Sequence, residues 1–341
     1  MKALTLALLA TTGMAIVASL ASTPSAFAAD KPTLTVYAYD SFNTEWGPGP
    51  AIKEGFEKTC DCVVEYVAPG DATETFNRLR LEGSSSKADV LLGLDSNLVA
   101  DADKSGLFEP NSIAVDGLKL PVVWNSSTYV PFDWGYFAFV YDSDKVKTVP
   151  TSFEELVNAP DDLKIVIEDP RSSTPGLGLL LWVKNLYGER ADEIWQKLSP
   201  RIVTVTKGWS EAYGMFLEGQ ADMVLSYTTS PAYHIEAENK TNYKAALFSE
   251  GHYMQVELAA VTKSSQNKAL ANQFLSYLIG PEAQKIIPTT NWMYPVALPD
   301  ADWPASFKDL ARPGKALLFD TGKVSNIRKV ALDEWLGALS K

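Results

Sequence analysis

The chain has 341 residues, a formal net charge of −12, 46% hydrophobic residues, and only two cysteines and two histidines. So acidic a chain argues against nucleic acid or an anionic lipid surface as partner and is compatible with a cationic ligand, although acidity also serves solubility. Cys60-Asp61-Cys62 is too sparse for a structural zinc site and lacks the C-x-x-C spacing of a thioredoxin-like redox pair.

In chain order, Lys2 forms a short positive region and residues 3–21 are apolar or small without charge. Ala26-Phe27-Ala28 then supplies the small-x-small pattern of a signal-peptidase site before Ala29-Asp30. Residues 1–28 therefore read as a signal peptide. Ser22, Thr23 and Pro24 break the apolar run, which speaks against a retained anchor. The first cysteine is Cys60, so no N-terminal cysteine is present for lipid attachment, and a freely diffusing protein of a Gram-negative periplasm is expected. Losing Lys2 with the leader makes the mature charge one unit more negative than −12. A mature chain of about 310 residues predicts two domains, since single cores stop growing near ~250–300 residues. No later window approaches the ~20 apolar residues of a membrane span.

Thr33 to Tyr39 alternates and is β-rich, predicting a first strand with Asp40 and Ser41 at its carboxyl end. Residues 50–59 have helical spacing, 63–67 read as a strand, and 73–83 as a helix stopped by Gly83. In an oxidising compartment Cys60 and Cys62 between them either close a small ring or stay reduced, and a local structural role is expected of them. Residues 88–94 are a short apolar run of the kind buried in parallel sheets. After Tyr129 comes an aromatic strand, 137–141. A second α/β pattern follows, with strands at 164–167, 202–205 and 222–227 and helices at 175–187 and 210–217. Then come a strand at 256–261, an amphipathic helix at 268–279 stopped by Gly280-Pro281, and a helix over 325–340. The order predicts an α/β protein of two layered lobes, joined without a flexible linker by strands passing between them.

In open α/β sheets ligands bind outside the carboxyl ends of the strands. Tyr39-Asp40 end the first strand, with Trp46 in the turn that follows, and Gly93-Leu94-Asp95 end the third. Ser172-Ser173-Thr174-Pro175, Lys207-Gly208-Trp209-Ser210, Ser226 to His234 and Asn291 to Pro295 are the corresponding segments of the second half. Any one of Tyr39, Trp46, Trp209, Tyr227, Tyr233, Trp292 and Tyr294 is explained by packing alone. As a set of strand-end aromatics, with Asp40 and Asp95 near, they suit a flat cation. Thr174 is a natural N-cap with Pro175 at the first helical position. Capping alone accounts for the segment, and anion binding at the helix start accounts for it equally.

The chain resembles the periplasmic thiamine-binding proteins of bacterial ABC transporters along nearly its whole mature length. The resemblance rests on Tyr37 to Phe42, Trp46 to Pro50, Asp169 to Gly178, Thr204 to Tyr213, Leu225 to His234 and Asn291 to Val296. It implies a two-lobed periplasmic-binding-protein-like fold of type II, with two mixed sheets flanked by helices and a ligand cleft between the lobes. It also implies that thiamine, its monophosphate and its diphosphate are captured and passed to a membrane permease, with no cofactor, metal or catalytic residue. The implied chain path gives lobe 1 as residues 29–136 plus 256–300 and lobe 2 as 137–255, crossing near Tyr136 and Gln255. Residues 301–341 form a helical segment assigned to neither, and the protein is expected to be a monomer. Tyr39 and Trp292 would flank the thiamine rings with Tyr233 beside them, and Asp40 and Asp95 would face the aminopyrimidine or the thiazolium. Ser173, Thr174, Trp209 and Tyr227 would hold the hydroxyethyl or phosphate end, with Trp46 at the rim; Gly93 and Tyr294 complete the candidate set. Two other readings share the fold. A ferric-iron carrier would use Tyr227, Tyr233 and His234, against which the tryptophans count. A thiamine-degrading enzyme would need a cysteine nucleophile at the cleft, where neither Cys60 nor Cys62 is expected.

Overall fold

Two parallel strand groups, built from separate stretches of the chain, are stitched together by two long buried strands. The computed structural model describes residues 31–339; the signal-peptide reading lies outside them. The first group comes from β1 (Thr33–Tyr37), α1 (Gly49–Cys60), β2 (Val63–Val67), α2 (Ala72–Glu82), β3 (Val90–Asp95) and α3 (Val99–Ser105). β4 (Val130–Asp142) follows, then α4 (Phe153–Val157), β5 (Ile165–Glu168), α5 (Thr174–Tyr187) and α6 (Ala191–Leu198). Next are β6 (Ile202–Thr206), α7 (Trp209–Leu217), β7 (Met223–Tyr227), α8 (Pro231–Glu238), β8 (Tyr243–Ala245) and β9 (His252–Val261). The chain ends with α9 (Lys268–Leu278), α10 (Pro281–Thr290), β10 (Tyr294–Pro295), α11 (Ala305–Lys308), β11 (Ala316–Leu317) and α12 (Thr321–Leu339).

Hydrogen bonding runs in the order β2-β1-β3-β9-β4-β7-β5-β6. β1 pairs in parallel with β2 and β3, and β5 in parallel with β6 and β7. Between these groups β9 and β4 are antiparallel to their neighbours. β4 changes partner midway: Val130 to Tyr136 lie in register with β9, and Phe137 to Tyr141 with β7. The two mixed sheets are therefore two ends of one continuous path, and β4 belongs to both. Its residues, like those of β9, are almost all buried, which is why both strands contain continuous apolar stretches, Phe137 to Tyr141 and Leu258 to Val261, rather than alternation. Against them lies α5, whose first ten residues are buried. Gly178 lets this helix approach β4, since a Cβ there would sit 2.1 Å from the Phe137 ring.

The aromatic strand expected at 137–141 is only half of β4, and β9 starts four residues before its expected beginning. In both places the flanking polar or glycine residues are buried by tertiary packing, which local pattern does not register. α8 and α10 begin with Pro231 and Pro281, read as turn residues in sequence but sitting in the first helical turn, where a missing N–H costs nothing. Cys60 and Cys62 form a disulfide around Asp61, which takes the left-handed backbone (φ 47°) that ends α1. The C-terminal helix α12 packs against α3 on one side and α5 and α6 on the other. Arg328 bonds Asp101 at 2.8 Å and Lys184 bonds Glu334 at 2.6 Å, so this helix touches elements of both sheet ends. No helix among the described residues is long and apolar enough to cross a membrane.

Candidate functional site

The carboxyl ends of both parallel groups open onto one cavity of about 500 Å³. From the first group come Tyr39 and Ser41 after β1, Trp46 further along that loop, and Asp71-Ala72 at the start of α2. From the second come Thr174 and Pro175 at the start of α5, Trp209, Ser210 and Tyr213 on α7, Tyr227 at the end of β7, and Ser230 and Tyr233 around the start of α8. Glu257 on β9 forms the floor, and Thr289 to Met293 close the side.

One part of the wall is aromatic. Trp209 stacks on Tyr213 with ring centroids 5.0 Å apart, and half-exposed Trp46 approaches Trp209 at 6.3 Å. Tyr233 meets Trp292 edge-on at 5.5 Å. Trp292 holds φ at 56°, a left-handed conformation that costs a bulky residue free energy and that tends to persist where the side chain's direction matters. Its N–H is tied to the Ile287 carbonyl at 3.1 Å, which fixes that turn.

The floor is acidic. The Tyr39 hydroxyl donates to Glu257 Oε2 at 2.8 Å, and Gln255 Nε2 donates to Glu257 Oε1 at 2.8 Å. Asn291 Nδ2 donates both to the Tyr39 hydroxyl (2.9 Å) and to Asp133 Oδ2 (2.7 Å). Burial, reinforced by Asp133, pushes the Glu257 carboxyl well above its ordinary range, and burial does the same to Asp133. Burial also raises Tyr39 and Tyr227 well above the usual phenol value, with Glu257 adding to both.

Three helices also begin at the cavity wall. Asp71 accepts the N–H of Ala72 at the start of α2 and, with Oδ2, that of Trp209 at the start of α7 (3.1 Å). Burial pushes its carboxyl up to about 6, opposed by those same hydrogen bonds. Thr174 Oγ1 at the start of α5 and Ser210 Oγ in the first turn of α7 are buried without a protein partner. Unsatisfied hydroxyls beside helix N-termini fit a polar, anionic ligand end.

Of the residues expected at the site, the structure brings together Tyr39, Trp46, Thr174, Trp209, Tyr227, Tyr233 and Trp292. Five lie off the wall. Tyr294 is fully buried, stacked on Trp134 at 4.5 Å and packed by Trp303 and Phe307. Asp95 is fully buried in the sheet beside Glu257, off the cavity lining, and bonded to the amide of Asn97. Gly93 lies under Tyr39: its φ is 98°, and a Cβ there would sit 2.3 Å from the Tyr39 ring, so it is a platform rather than a contact. Ser173 is buried as the N-cap of α5, one residue earlier than the expected cap Thr174, and Asp40 holds the Ser41 N–H at 2.7 Å. Two of the expected loop aromatics stand on helices, Trp209 opening α7 and Tyr233 on α8.

Sequence reasoning missed Asp71, Tyr213 and Glu257, and placed Ser210 and Asn291 in ligand-facing segments without singling them out. Two of the missed residues carried a signal. Asp71-Ala72-Thr73-Glu74 has the spacing of a helix-capping box, and Glu257 is a lone charge inside an apolar strand. His234 turns away from the cavity, its Nε2 against the Tyr213 hydroxyl (2.9 Å) and its Nδ1 against Glu238 (2.8 Å). Among the described residues no group of acidic, His or Cys side chains is placed to hold a metal ion. The disulfide takes both cysteine sulfurs out of nucleophilic chemistry, away from the cavity lining.

Two α/β sheet ends whose strand termini face one ligand-sized cavity define a solute-binding protein. The thiamine-binding periplasmic protein of Escherichia coli K12 is 53% identical over 91% of this chain and 94% of its own length. That of Brucella melitensis is 50% identical over 93% of this chain and 95% of its own. A solved structure described as a periplasmic thiamin binding protein superposes with a TM-score of 0.89 at 53% identity, over 91% of this chain and 97% of that one. The chain belongs to the bacterial extracellular solute-binding protein family, whose model matches residues 43–285, and within it stands with these thiamine-binding relatives. It is a binding protein rather than an enzyme.

Proposed function

We propose that the mature chain captures thiamine and its mono- and diphosphate in the periplasm and hands them to the permease of an ABC importer. The observation that carries this reading is the make-up of the cavity wall. Aromatic rings and the Glu257 carboxyl line it together with the starts of α2, α5 and α7, where buried hydroxyls are unsatisfied. A thiazolium gains from rings and a carboxylate, and a hydroxyl or phosphate gains from helix starts. Tyr39, Tyr233 and Trp292 flank the ring end, and Thr174, Ser210 and Trp209 hold the other. The same proposal includes leader cleavage near Ala28, a monomer, and lobes of residues 29–136 with 256–300 and of 137–255. Those lobes close about the partner switch at Tyr136–Phe137 in β4, and residues 301–339 strap both.

Titration of refolded, ligand-free mature protein with thiamine, followed by tryptophan fluorescence and calorimetry, tests it. Saturable binding in the submicromolar range, about −8 kcal/mol or better, is expected. Trp292→Ala should weaken it about 10- to 100-fold, the worth of one lost stacking and cation–π contact. No response to thiamine or either phosphate by both methods would sink the reading.

A further inference from the structure

Three carboxylates stand in one row across the middle of the sheet. In the strand register Asp95 on β3 and Asp133 on β4 each lie directly opposite Glu257 on β9. Directly opposed residues on neighbouring strands share a face and sit close, and like charges so placed destabilise a sheet. All three are buried, Asp95 and Asp133 completely. Among the described residues no Lys, Arg or His is hydrogen-bonded to or ion-paired with any of them; Arg328 acts on Asp95 only as a through-space charge. Three ionised carboxylates cannot persist in such a place without a compensating cation.

The hydrogen bonding distinguishes the members of the row. Both oxygens of Glu257 receive a donor, from Tyr39 and from Gln255, so this group is solvated for a negative charge and it faces the cavity. Asp133 receives Asn291 on Oδ2 alone, and its Oδ1 is buried without a partner. Asp95 receives Asn97 on Oδ1, and its Oδ2 is likewise bare. Each flanking aspartate thus keeps one oxygen that can take a proton without displacing an existing donor.

We propose that the row Asp95–Glu257–Asp133 is the charge-selecting element of the cavity: it holds protons while the site is free and releases one to solvent when a cationic ring settles against Glu257. The inference rests on the thiamine reading above and deepens it. The proton leaves a carboxyl O–H for the buffer and no bond to the ligand forms, so the row trades one internal cation for another. The other groups facing it carry no positive charge: Tyr39 after β1, Asp71 at the start of α2, Tyr227 on β7, Gln255 on β9 and Asn291 after α10. Glu168 on β5 adds to the negative surroundings through Asp71 and Tyr227. Burial raises all three carboxyls, Asp95 to about 7, and at Glu257 the charges of Asp133 and Asp95 add to it. A neutral ring of the same shape gains nothing from the row and meets it still protonated, which is the basis of the selection.

Calorimetry of the intact mature protein with thiamine, in buffers of different ionisation enthalpy, decides the matter. The measured heat should vary with the buffer as expected for release of about one proton, and affinity should rise up to tenfold per pH unit between about pH 6.5 and 8. An analogue carrying a neutral thiophene in place of the thiazolium should bind at least tenfold more weakly and release no proton. Asp133→Asn should cut the proton count for thiamine. Thiamine binding with a buffer-independent heat and a flat pH profile, or with proton uptake, overturns the proposal, as does equal proton release with the neutral analogue. An absence of thiamine binding in every buffer instead overturns the thiamine reading itself, and the charge-selecting role falls with it. The wild-type measurements stand even if the variant fails to fold.

Discussion

The Asp71 carboxylate joins the starts of two helices that lie far apart in sequence: Oδ1 takes the N–H of Ala72 in its own helix α2, and Oδ2 takes that of Trp209, 138 residues on, in α7. One helix flanks the first strand group and the other the second, so this side chain is both a cap and a bridge over the cavity. It is not alone. The Glu74 N–H donates to the Ser172 carbonyl at 2.9 Å, Asn77 Nδ2 donates to the Arg171 carbonyl at 3.2 Å, and Lys207 pairs with Glu74 at 2.9 Å. The last of these is exposed and worth little, whereas Asp71 is buried and its loss strands two N–H groups.

Asp71→Ala should therefore lower stability by about 1–3 kcal/mol, the combined worth of a lost cap and an unsatisfied buried donor. Thermal melting of the ligand-free protein checks this. Thiamine affinity should fall as well, because Trp209 is held in place through its backbone by the same oxygen. Unchanged melting and unchanged binding would show that the bridge is incidental.

The Gly93 backbone passes directly beneath the Tyr39 ring in a left-handed conformation, leaving no room for a side chain. Gly93→Ala adds backbone strain of about 1–3 kcal/mol and pushes the Tyr39 ring out of its place on Glu257. Both melting temperature and thiamine affinity should drop. In a Tyr39→Phe background the hydrogen bond to Glu257 is already gone, so the additional loss of affinity from Gly93→Ala should shrink; full additivity would place the effect elsewhere.

The α/β class and most strands and helices were legible because β-rich runs and helical spacing are local signals. The aromatic half of the site was legible for a related reason: Tyr39, Trp46, Trp209 and Tyr227 stand at or beyond strand ends, where a parallel sheet puts its ligands, and Trp292 stands in the loop after α10. What was not legible is how far a strand-end residue turns inward. Asp95 and Tyr294 also lie in the expected strand-end and late-loop segments, but neighbours bury them, Asp95 beside Glu257 on the adjacent strand and Tyr294 against Trp134. Glu257 was hidden for the converse reason. A lone charge in an apolar strand signals a special position but not which one, and the pairing with β3 and β4 is what reveals that it forms a floor.

The Cys60–Cys62 disulfide closes a ring of three residues where α1 gives way to β2. Chain-entropy reasoning assigns so short a loop only about 1.6 kcal/mol. Replacing both cysteines by serine should cost no more than about 2 kcal/mol in denaturant unfolding and leave thiamine affinity unchanged, since neither residue lines the cavity. A loss of binding in that variant would mean that the turn at Asp61 positions the site through β2.

Ligand-free protein should become less stable as pH rises from about 4.5 towards 8, the opposite of the usual behaviour of acidic proteins leaving acid denaturation. Asp71, held up to about 6, and Asp95, held up to about 7, keep their protons in the folded state, while in the unfolded chain these carboxyls ionise near pH ~4. Glu257, Asp133 and Glu168 are raised in the same sense by burial. With more protons on the folded state than on the unfolded one, unfolding free energy falls with pH by about 1.4 kcal/mol per unit for each proton so retained. The stabilisation is complete below the unfolded pKa values and is lost as pH passes through the folded ones. Ion-paired carboxylates with lowered pKa values, such as Asp169 beside Arg171, act in the other direction but finish titrating at the acid edge of this window. Melting curves at stepped pH, with and without saturating thiamine, separate the two contributions. The ligand-free melting temperature should decline across the window, and the gap opened by thiamine should widen, because a bound cation supplies at high pH what the retained protons supply at low pH. A ligand-free melting temperature that climbs steadily from pH ~5 to 8 would show that the buried carboxyls are already ionised in the free protein.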